Sequence, residues 1–366
     1  MASRISKVYL IAGEASGDLH GSNLIRAMKG IRSDLNFRCW GGDECEKAGA
    51  QVVKHIKDLA FMGFVEVIAN LRTILSNIRY CKQDIVQYNP DVIILIDYPG
   101  FNLRIAEWAK LKGFRVVYYI SPQIWAWKES RVKKIKRVVD QMLVILPFER
   151  DFYAKHGMSV CFVGHPLLDV VESYVPKQKI EKEIGRPIIA LLPGSRAMEI
   201  KQVWPILLEV VRRNPQYTFI LGMAPTLSAE NFVGLNQYPN LSYLKGRTYD
   251  ILNKADAALV TSGTATLETA LFGVPEVVCY KGNPISYFIA KHLIKVKYIS
   301  LVNLILDRML VKELIQYELT VEQLEQELKY LLQPKSKEEI QKGYHELRTK
   351  LGEKGASRRA ALEILN

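Results

Sequence analysis

An apolar run that stops at a small-residue turn and resumes as a helix recurs along this chain, and it restricts the fold more than any single residue does. In the segment 255–278, Ala257–Val260 reads as a short buried strand, Thr261-Ser262-Gly263-Thr264 as the turn and Ala265–Leu271 as the helix. Such a junction points backbone N–H groups outward at the positive end of the helix dipole, which suits a phosphate. That makes Ser262, Gly263 and Thr264 candidate phosphate contacts, and Glu268, one helical turn in, is placed to accept hydrogen bonds from a ribose. An ordinary βα turn with a capping threonine would explain this segment equally well. A second junction tips the balance: Ile188–Leu192 runs into Pro193-Gly194-Ser195-Arg196. Two such junctions in one half of the chain, one carrying an arginine, suggest a clamp for a nucleotide diphosphate.

The first half opens in the same way. Lys7–Ala12 is a strand, Gly13-Glu14-Ala15-Ser16-Gly17-Asp18-Leu19-His20-Gly21 a turn, and a helix follows through Met28. This is the entry to a Rossmann-like domain, but the glycine spacing is not G-x-G-x-x-G and the acidic ribose residue is missing, which excludes NAD. Helix capping by Ser16 or Asp18 explains part of the loop's polarity. The remainder makes Gly13, Glu14, Ser16, Gly17, Asp18 and His20 candidate ligand contacts. Asp91–Ile96 is a nearly continuous apolar run, the mark of a central parallel strand, and it ends in Asp97-Tyr98-Pro99-Gly100-Phe101-Asn102. An acidic residue there sits where α/β sheets bind ligands. Arg115–Ile120, Val138–Leu146 and Cys161–Val163 are further expected strands.

At 366 residues the chain exceeds one ordinary core, so two domains of roughly 150–200 residues are expected. The polar stretch 171–187 reads as the linker between an N-terminal Rossmann-like domain (1–170) and a C-terminal one (188–340), with a helical segment at 341–366. Lys312–Gln316 is read as part of a helix. The net charge of +12 is spread evenly, +6 in residues 1–175 and +6 in the rest, so there is no basic tail. No RNP, helix-turn-helix or zinc-finger signature accompanies it, which argues against nucleic acid. The densest cluster, Lys128–Arg137, holds six basic residues and one acidic one. It reads as a solvated helix face or as a surface that meets anionic lipid.

The five cysteines are odd in number and lack C-x-x-C spacing, which predicts a reducing compartment and no zinc site. No apolar stretch reaches 18 residues, and the run before Glu14 is too short for a secretory signal. The expectation is a cytoplasmic protein or one lying on a membrane surface. For the second alternative, Phe64, Val67, Ile68, Leu71 and Leu75 recur at helical spacing within 61–85. Such a stripe serves equally as the buried face of a helix on the sheet.

Two Rossmann-like domains with the nucleotide clamp in the second match the GT-B glycosyltransferase arrangement, an α/β fold whose domains face a central cleft. No Asp-X-Asp pair is present to hold a metal on a diphosphate. The segments GEASGDLHG (13–21), MGFVEV (62–67), IDYPGFN (96–102), YISPQIWAW (119–127), LPFE (146–149), GHP (164–166), LLPGSR (191–196), TSGTATLE (261–268) and SLVN (300–303) are those of one family. By them the chain resembles the lipid-A-disaccharide synthases of Gram-negative bacteria. The resemblance implies that UDP-2,3-diacylglucosamine donates its sugar to the 6-hydroxyl of 2,3-diacylglucosamine 1-phosphate at the inner-membrane surface, without a cofactor. It also places Asn303, Glu313 and Gln316 near the donor. An alcohol acceptor needs a base, and Asp97 is the expected one, with Glu14, Asp18 and His20 as competitors. A UDP-sugar 2-epimerase on the same fold, and a basic binding protein for acidic lipid or RNA, are the alternatives. The C-terminal helices are free to return to the first domain or to exchange between protomers of a homodimer.

Overall fold

The computed structural model describes residues 5–59, 71–177, 180–181, 183–283, 287 and 296–366. The chain divides into two compact units, Met1–Asp169 with Glu353–Asn366, and Val170–Gly352. In the first unit the described strands are β1 (Lys7–Ala12), β2 (Asn36–Gly41), β3 (Gln51–His55), β4 (Val92–Ile96), β5 (Arg115–Tyr119), β6 (Gln141–Val144) and β7 (Cys161–Phe162). They form one parallel sheet in the order β3-β2-β1-β4-β5-β6-β7. Its described helices are α1 (Ala15–Ile31), α2 (Asp43–Lys47), α3 (Leu71–Tyr88), α4 (Pro99–Leu111), α5 (Ile124–Trp127), α6 (Arg131–Val138), α7 (Pro147–Lys155) and α8 (Pro166–Glu172), the last of which runs across the boundary.

The second unit repeats the plan. Strands β8 (Ile188–Leu192), β9 (Thr218–Met223), β10 (Leu241–Lys245), β11 (Ala257–Thr261), β12 (Glu276–Tyr280) and β13 (Lys312–Ile315) pair in parallel in the order β10-β9-β8-β11-β12-β13. Helices α9 (Ala197–Arg213), α10 (Thr248–Leu252), α11 (Thr264–Leu271), α12 (Leu301–Leu306), α13 (Val321–Leu331) and α14 (Pro334–Leu351) accompany them. The expected segment boundary at 341 falls inside α14. The chain then returns to the first unit, where α15 (Ala356–Leu365) packs along α1. The Asp169 carboxylate receives the Gly355 and Ser357 backbone N–H groups at the start of α15.

The continuous apolar runs became the central strands because every residue of β4, β8 and β11 is buried. An aspartate beside each sheet's centre fixes register. Asp91 Oδ2 accepts the Ser6 and Lys7 N–H groups at 2.7 and 2.8 Å, and Asp256 Oδ2 accepts that of Ile188 at 2.9 Å. Strands β2 and β3 are not foreseen from sequence: they lie toward one edge and break the apolar run with Arg38 and Lys54. Two expectations are corrected. Val138 closes α6 rather than opening a strand, because Val132, Ile135 and Val138 bury one helical face. Lys312–Ile315, expected in a helix, is strand β13, since backbone pairing with β12 overrides the helix-favouring composition.

Helix α3 lies against the first sheet through Ile74, Ile78, Cys81 and Ile85. Its Asp84 accepts from the Tyr9 hydroxyl at 2.6 Å and from the Arg38 guanidinium, and the Trp40 indole N–H donates to Tyr9. Of the expected apolar stripe, Leu75 is 57% exposed. Phe64, Val67 and Ile68 lie outside the described residues, as does the Leu71 side chain. No described helix is long and apolar enough to cross a membrane.

One buried group runs against the packing rules. Glu276 opens β12 with no exposed surface, and among the described residues neither carboxylate oxygen has a hydrogen-bond partner. Burial, then the nearby Glu313 carboxylate, push its carboxyl well above the usual range. A folded-state pKa raised above the unfolded value of about 4.3 contributes a stability cost that grows as pH rises through that value. Glu276→Leu is therefore expected to stabilise the protein by about 1–3 kcal/mol, with the gain larger at pH 8 than at pH 5. Thermal unfolding at both pH values checks this; a destabilised variant, or a gain that shrinks as pH rises, would contradict it.

Candidate active site

In a doubly wound sheet, ligands bind beyond the carboxyl ends of the strands where the strand order reverses. That reversal falls between β1 and β4 in the first sheet and between β8 and β11 in the second. The loops leaving those four strands are GEASG, DYPG, PGSR and TSGT, the segments the sequence singles out.

At the first switch point, the turn after β4 passes through two left-handed residues, Asp97 (φ 43°) and Tyr98 (φ 48°). The Tyr98 ring lies so close to Gly13 that a Cβ there would meet it at 2.3 Å. Glycine at 13 is thus required by the ring of Tyr98. Gly17 lets α1 approach β1, since a Cβ at that position would lie 3.2 Å from the Ala12 Cβ. Asp97 is partly buried, and burial followed by the Glu14 carboxylate raises its pKa to about 6. Burial and Glu14 likewise raise the Tyr98 hydroxyl. Glu14, Asp97 and Tyr98 therefore share one electrostatic neighbourhood, with Ser16 exposed on the first turn of α1.

Asp18 and His20 are both buried. Asp18 does not cap its own helix; its buried carboxylate accepts the N–H groups of Gly42 (2.7 Å), Glu44 (3.0 Å) and Cys45 (3.1 Å), holding the start of α2. Those hydrogen bonds engage both carboxylate oxygens. His20 is buried, which lowers its pKa to about 4 against the raising effect of Asp169, so the ring is neutral at pH 7. It packs near His165 of the GHP segment, whose pKa burial and His20 lower to about 3. In the SPQIWAW and LPFE segments, the Trp125 indole N–H donates to Glu149 Oε1 at 3.2 Å while the Leu146 N–H donates to Oε2 at 3.0 Å. Burial raises Glu149 to about 7, against these hydrogen bonds.

At the second switch point, Gly194 (φ 97°) brings the PGSR loop against Thr261, whose buried hydroxyl has no partner among the described residues. Arg196 is 58% exposed and its guanidinium reaches Glu199 at 2.9 Å. No side chain caps α11; the Thr266 N–H of its first turn donates to the Gly263 carbonyl at 3.2 Å, and Gly263 and Thr264 are exposed. Glu268 accepts from the Tyr249 hydroxyl at 2.6 Å, and burial raises its carboxyl. The Ser262 hydroxyl donates to the Ile299 carbonyl at 2.9 Å.

Asn303 and Glu313 are engaged inside the protein. The Asn303 amide donates to Val311 O and Glu313 Oε1 and accepts the N–H groups of Leu310 and Val311. Glu313 also receives the Ile299 and Ser300 N–H groups. Together they brace the turn that Ser262 touches. Gln316, left-handed at φ 55°, accepts from Gly282 N–H through Oε1, and its buried Nε2 has no partner among the described residues. Sequence reasoning gave no role to Thr261, although it lies in the quoted turn, or to Tyr249, which lies on a different helix from Glu268.

A family model described as lipid-A-disaccharide synthetase matches residues 8–365. The lipid-A-disaccharide synthase of Syntrophus aciditrophicus is 41% identical over 370 residues, covering 98% of this chain and 97% of that protein. That of Trichlorobacter lovleyi is 40% identical, covering 99% and 98%. Among solved structures, the UDP-GlcNAc 2-epimerase of Neisseria meningitidis bound to UDP-GlcNAc superposes with TM-score 0.69 at 13% identity, covering 98% of this chain and 99% of that one. The glycotransferase of kitacinnamycin gives 0.68 at 15% identity, covering 99% and 98%. At such identities these two speak for the shared α/β fold, common to GT-B transferases and epimerases. The match over almost the whole chain and the near-complete overlaps at 40% identity settle the lineage: the chain belongs to the lipid-A-disaccharide synthase family, the UDP-sugar glycosyltransferases of lipid A biosynthesis.

Proposed function

We propose that this enzyme transfers the sugar of UDP-2,3-diacylglucosamine to the 6-hydroxyl of 2,3-diacylglucosamine 1-phosphate with inversion, giving the β-1′,6-linked disaccharide 1-phosphate and UDP. The observation that carries this reading is the family match over residues 8–365, with the Asp97 carboxylate at the first unit's switch point, raised to about 6, as the base. A base poised just below neutral pH is ionised at pH 7 yet basic enough to accept a proton in the transition state. The acceptor O6 forms a bond to the anomeric carbon as the bond to the UDP oxygen breaks, and Asp97 takes the hydroxyl proton. Glu14 and Ser16 orient the acceptor sugar. On the second unit, Arg196 and the open first turn of α11 receive the diphosphate charge, Gly263 and Thr264 admit its oxygens, and Glu268 binds the ribose.

Incubation with both diacylated glucosamines, with detection of UDP and the tetraacyl disaccharide phosphate, tests the reaction. In that assay Asp97→Asn should lower kcat by about 10²–10⁴ with UDP affinity unchanged. Arg196→Ala should weaken UDP by roughly tenfold to hundredfold, the loss of one charge-assisted contact. UDP affinity unchanged in a folded Arg196→Ala protein, or an Asp97→Asn enzyme retaining more than about a tenth of kcat, removes the corresponding assignment.

The acylated substrates also call for a membrane surface. Supporting it are exposed Leu75 on α3 and the basic helix α6, before which Trp127 stands 47% exposed with Lys128 and Arg131 over its ring. Lys134 and Arg137 pair with Glu107, leaving Lys133 and Lys136 exposed for anionic lipid headgroups. At about 1 kcal/mol per charge, Lys133→Glu with Lys136→Glu should cut sedimentation with phosphatidylglycerol vesicles at least tenfold. Undiminished sedimentation would take α6 out of the membrane-facing surface.

A further inference from the structure

We propose that Asn102 and Tyr118 are positioning residues for Asp97, fixing the left-handed turn that aims its carboxylate; this rests on Asp97 being the base. Left-handed backbone is uncommon for residues other than glycine, and here Asp97 and Tyr98 adopt it in succession at the end of a central strand. The turn follows Ile96, the last residue of β4, which still pairs with Ala12 and Tyr119. The Asp97 carbonyl just beyond it accepts from the Tyr118 hydroxyl at 2.6 Å and from Asn102 Nδ2 at 2.7 Å. The same Asn102 amide donates to the Ile96 carbonyl at 3.2 Å, so one NH₂ group spans both sides of the Asp97 peptide unit. Asn102 closes the loop a second time through its backbone N–H, which donates to the Tyr98 carbonyl at 3.0 Å.

The two donors come from different elements. Tyr118 is on β5, the strand paired to β4, and Asn102 is on the first turn of α4. Asp97 is thereby fixed to the sheet as well as to its own loop. Both donor side chains are fully buried, so water does not replace a lost hydrogen bond easily. The other end of the Asn102 amide, Oδ1, is buried with no partner among the described residues, so the position is used for its donors. Neither side chain hydrogen-bonds to the Asp97 carboxylate. Their influence on proton transfer passes through the backbone, where a small change of φ and ψ swings the carboxylate away from the reacting hydroxyl.

A double-mutant cycle of Tyr118→Phe and Asp97→Asn tests this. Phenylalanine keeps the ring and removes only the donor. Tyr118→Phe should lower kcat about tenfold or more, with KM for the UDP-sugar and the Kd for UDP unchanged. In the Asp97→Asn background it should lower the residual rate by less than twofold. Should Tyr118→Phe melt below the assay temperature, Asn102→Ser reads the same carbonyl in the same cycle. Equal losses in both backgrounds overturn the proposal, since a general structural defect multiplies with loss of the base. A slow Asp97→Asn enzyme beside a fully active Tyr118→Phe enzyme overturns the positioning role alone. An Asp97→Asn enzyme with wild-type kcat removes the base, and the positioning role with it.

Discussion

The contact between Gly13 and the Tyr98 ring is the constraint on which the first unit's site depends. Without a Cβ at Gly13 the ring seats against the end of β1, and the chain after β4 turns through two left-handed residues instead of continuing extended. Each such residue costs about 1–3 kcal/mol, a strain held by surrounding contacts and found often at functional sites. Here the contacts are the Tyr98 ring on Gly13, its stacking on Phe101 at 5.6 Å, and the donors to the Asp97 carbonyl. What the strain achieves is burial. It sets a carboxylate at the carboxyl end of the central strand β4, within the electrostatic reach of Glu14, where desolvation and like charge raise its proton affinity.

The two sheets wind identically about their first and fourth strands yet present opposite chemistry. Both use an aspartate at the start of the fourth strand to hold the first. After that the loops diverge. The first unit gathers carboxylates under a tyrosine, an environment for moving a proton. The second offers glycine, threonine, uncapped N–H groups and an arginine, an environment for negative charge. Fold alone does not decide between transferase and epimerase, since neighbours of both kinds share it. The family relationship does.

Most of the framework was legible because central parallel strands are buried on both faces and write themselves as apolar runs. The same signal failed at β2 and β13, nearer the edges, where Arg38, Lys312 and Glu313 interrupt the pattern. The turns after β1, β4, β8 and β11 were visible from motif and position. Burial was not. Asp18 looks like a ligand contact in sequence because it is polar and lies in a quoted segment, and the resemblance places Asn303 near the donor. Neither reading shows that both side chains hold backbone groups that a loop must satisfy when it is packed away from water. Sequence shows that a polar group is present, while its partner is set by tertiary packing.

The pH dependence of kcat/KM tests the placement of the base most directly, because it reads the ionisation of the free enzyme. A base raised by burial and Glu14 predicts that kcat/KM rises as a single proton is lost, with a midpoint near 6 and a plateau above pH 7. In Asp97→Asn that rise should vanish. A wild-type kcat/KM that is flat from pH 5 to 8, or an Asp97→Asn enzyme that keeps the same midpoint, would contradict Asp97 as the group that takes the proton.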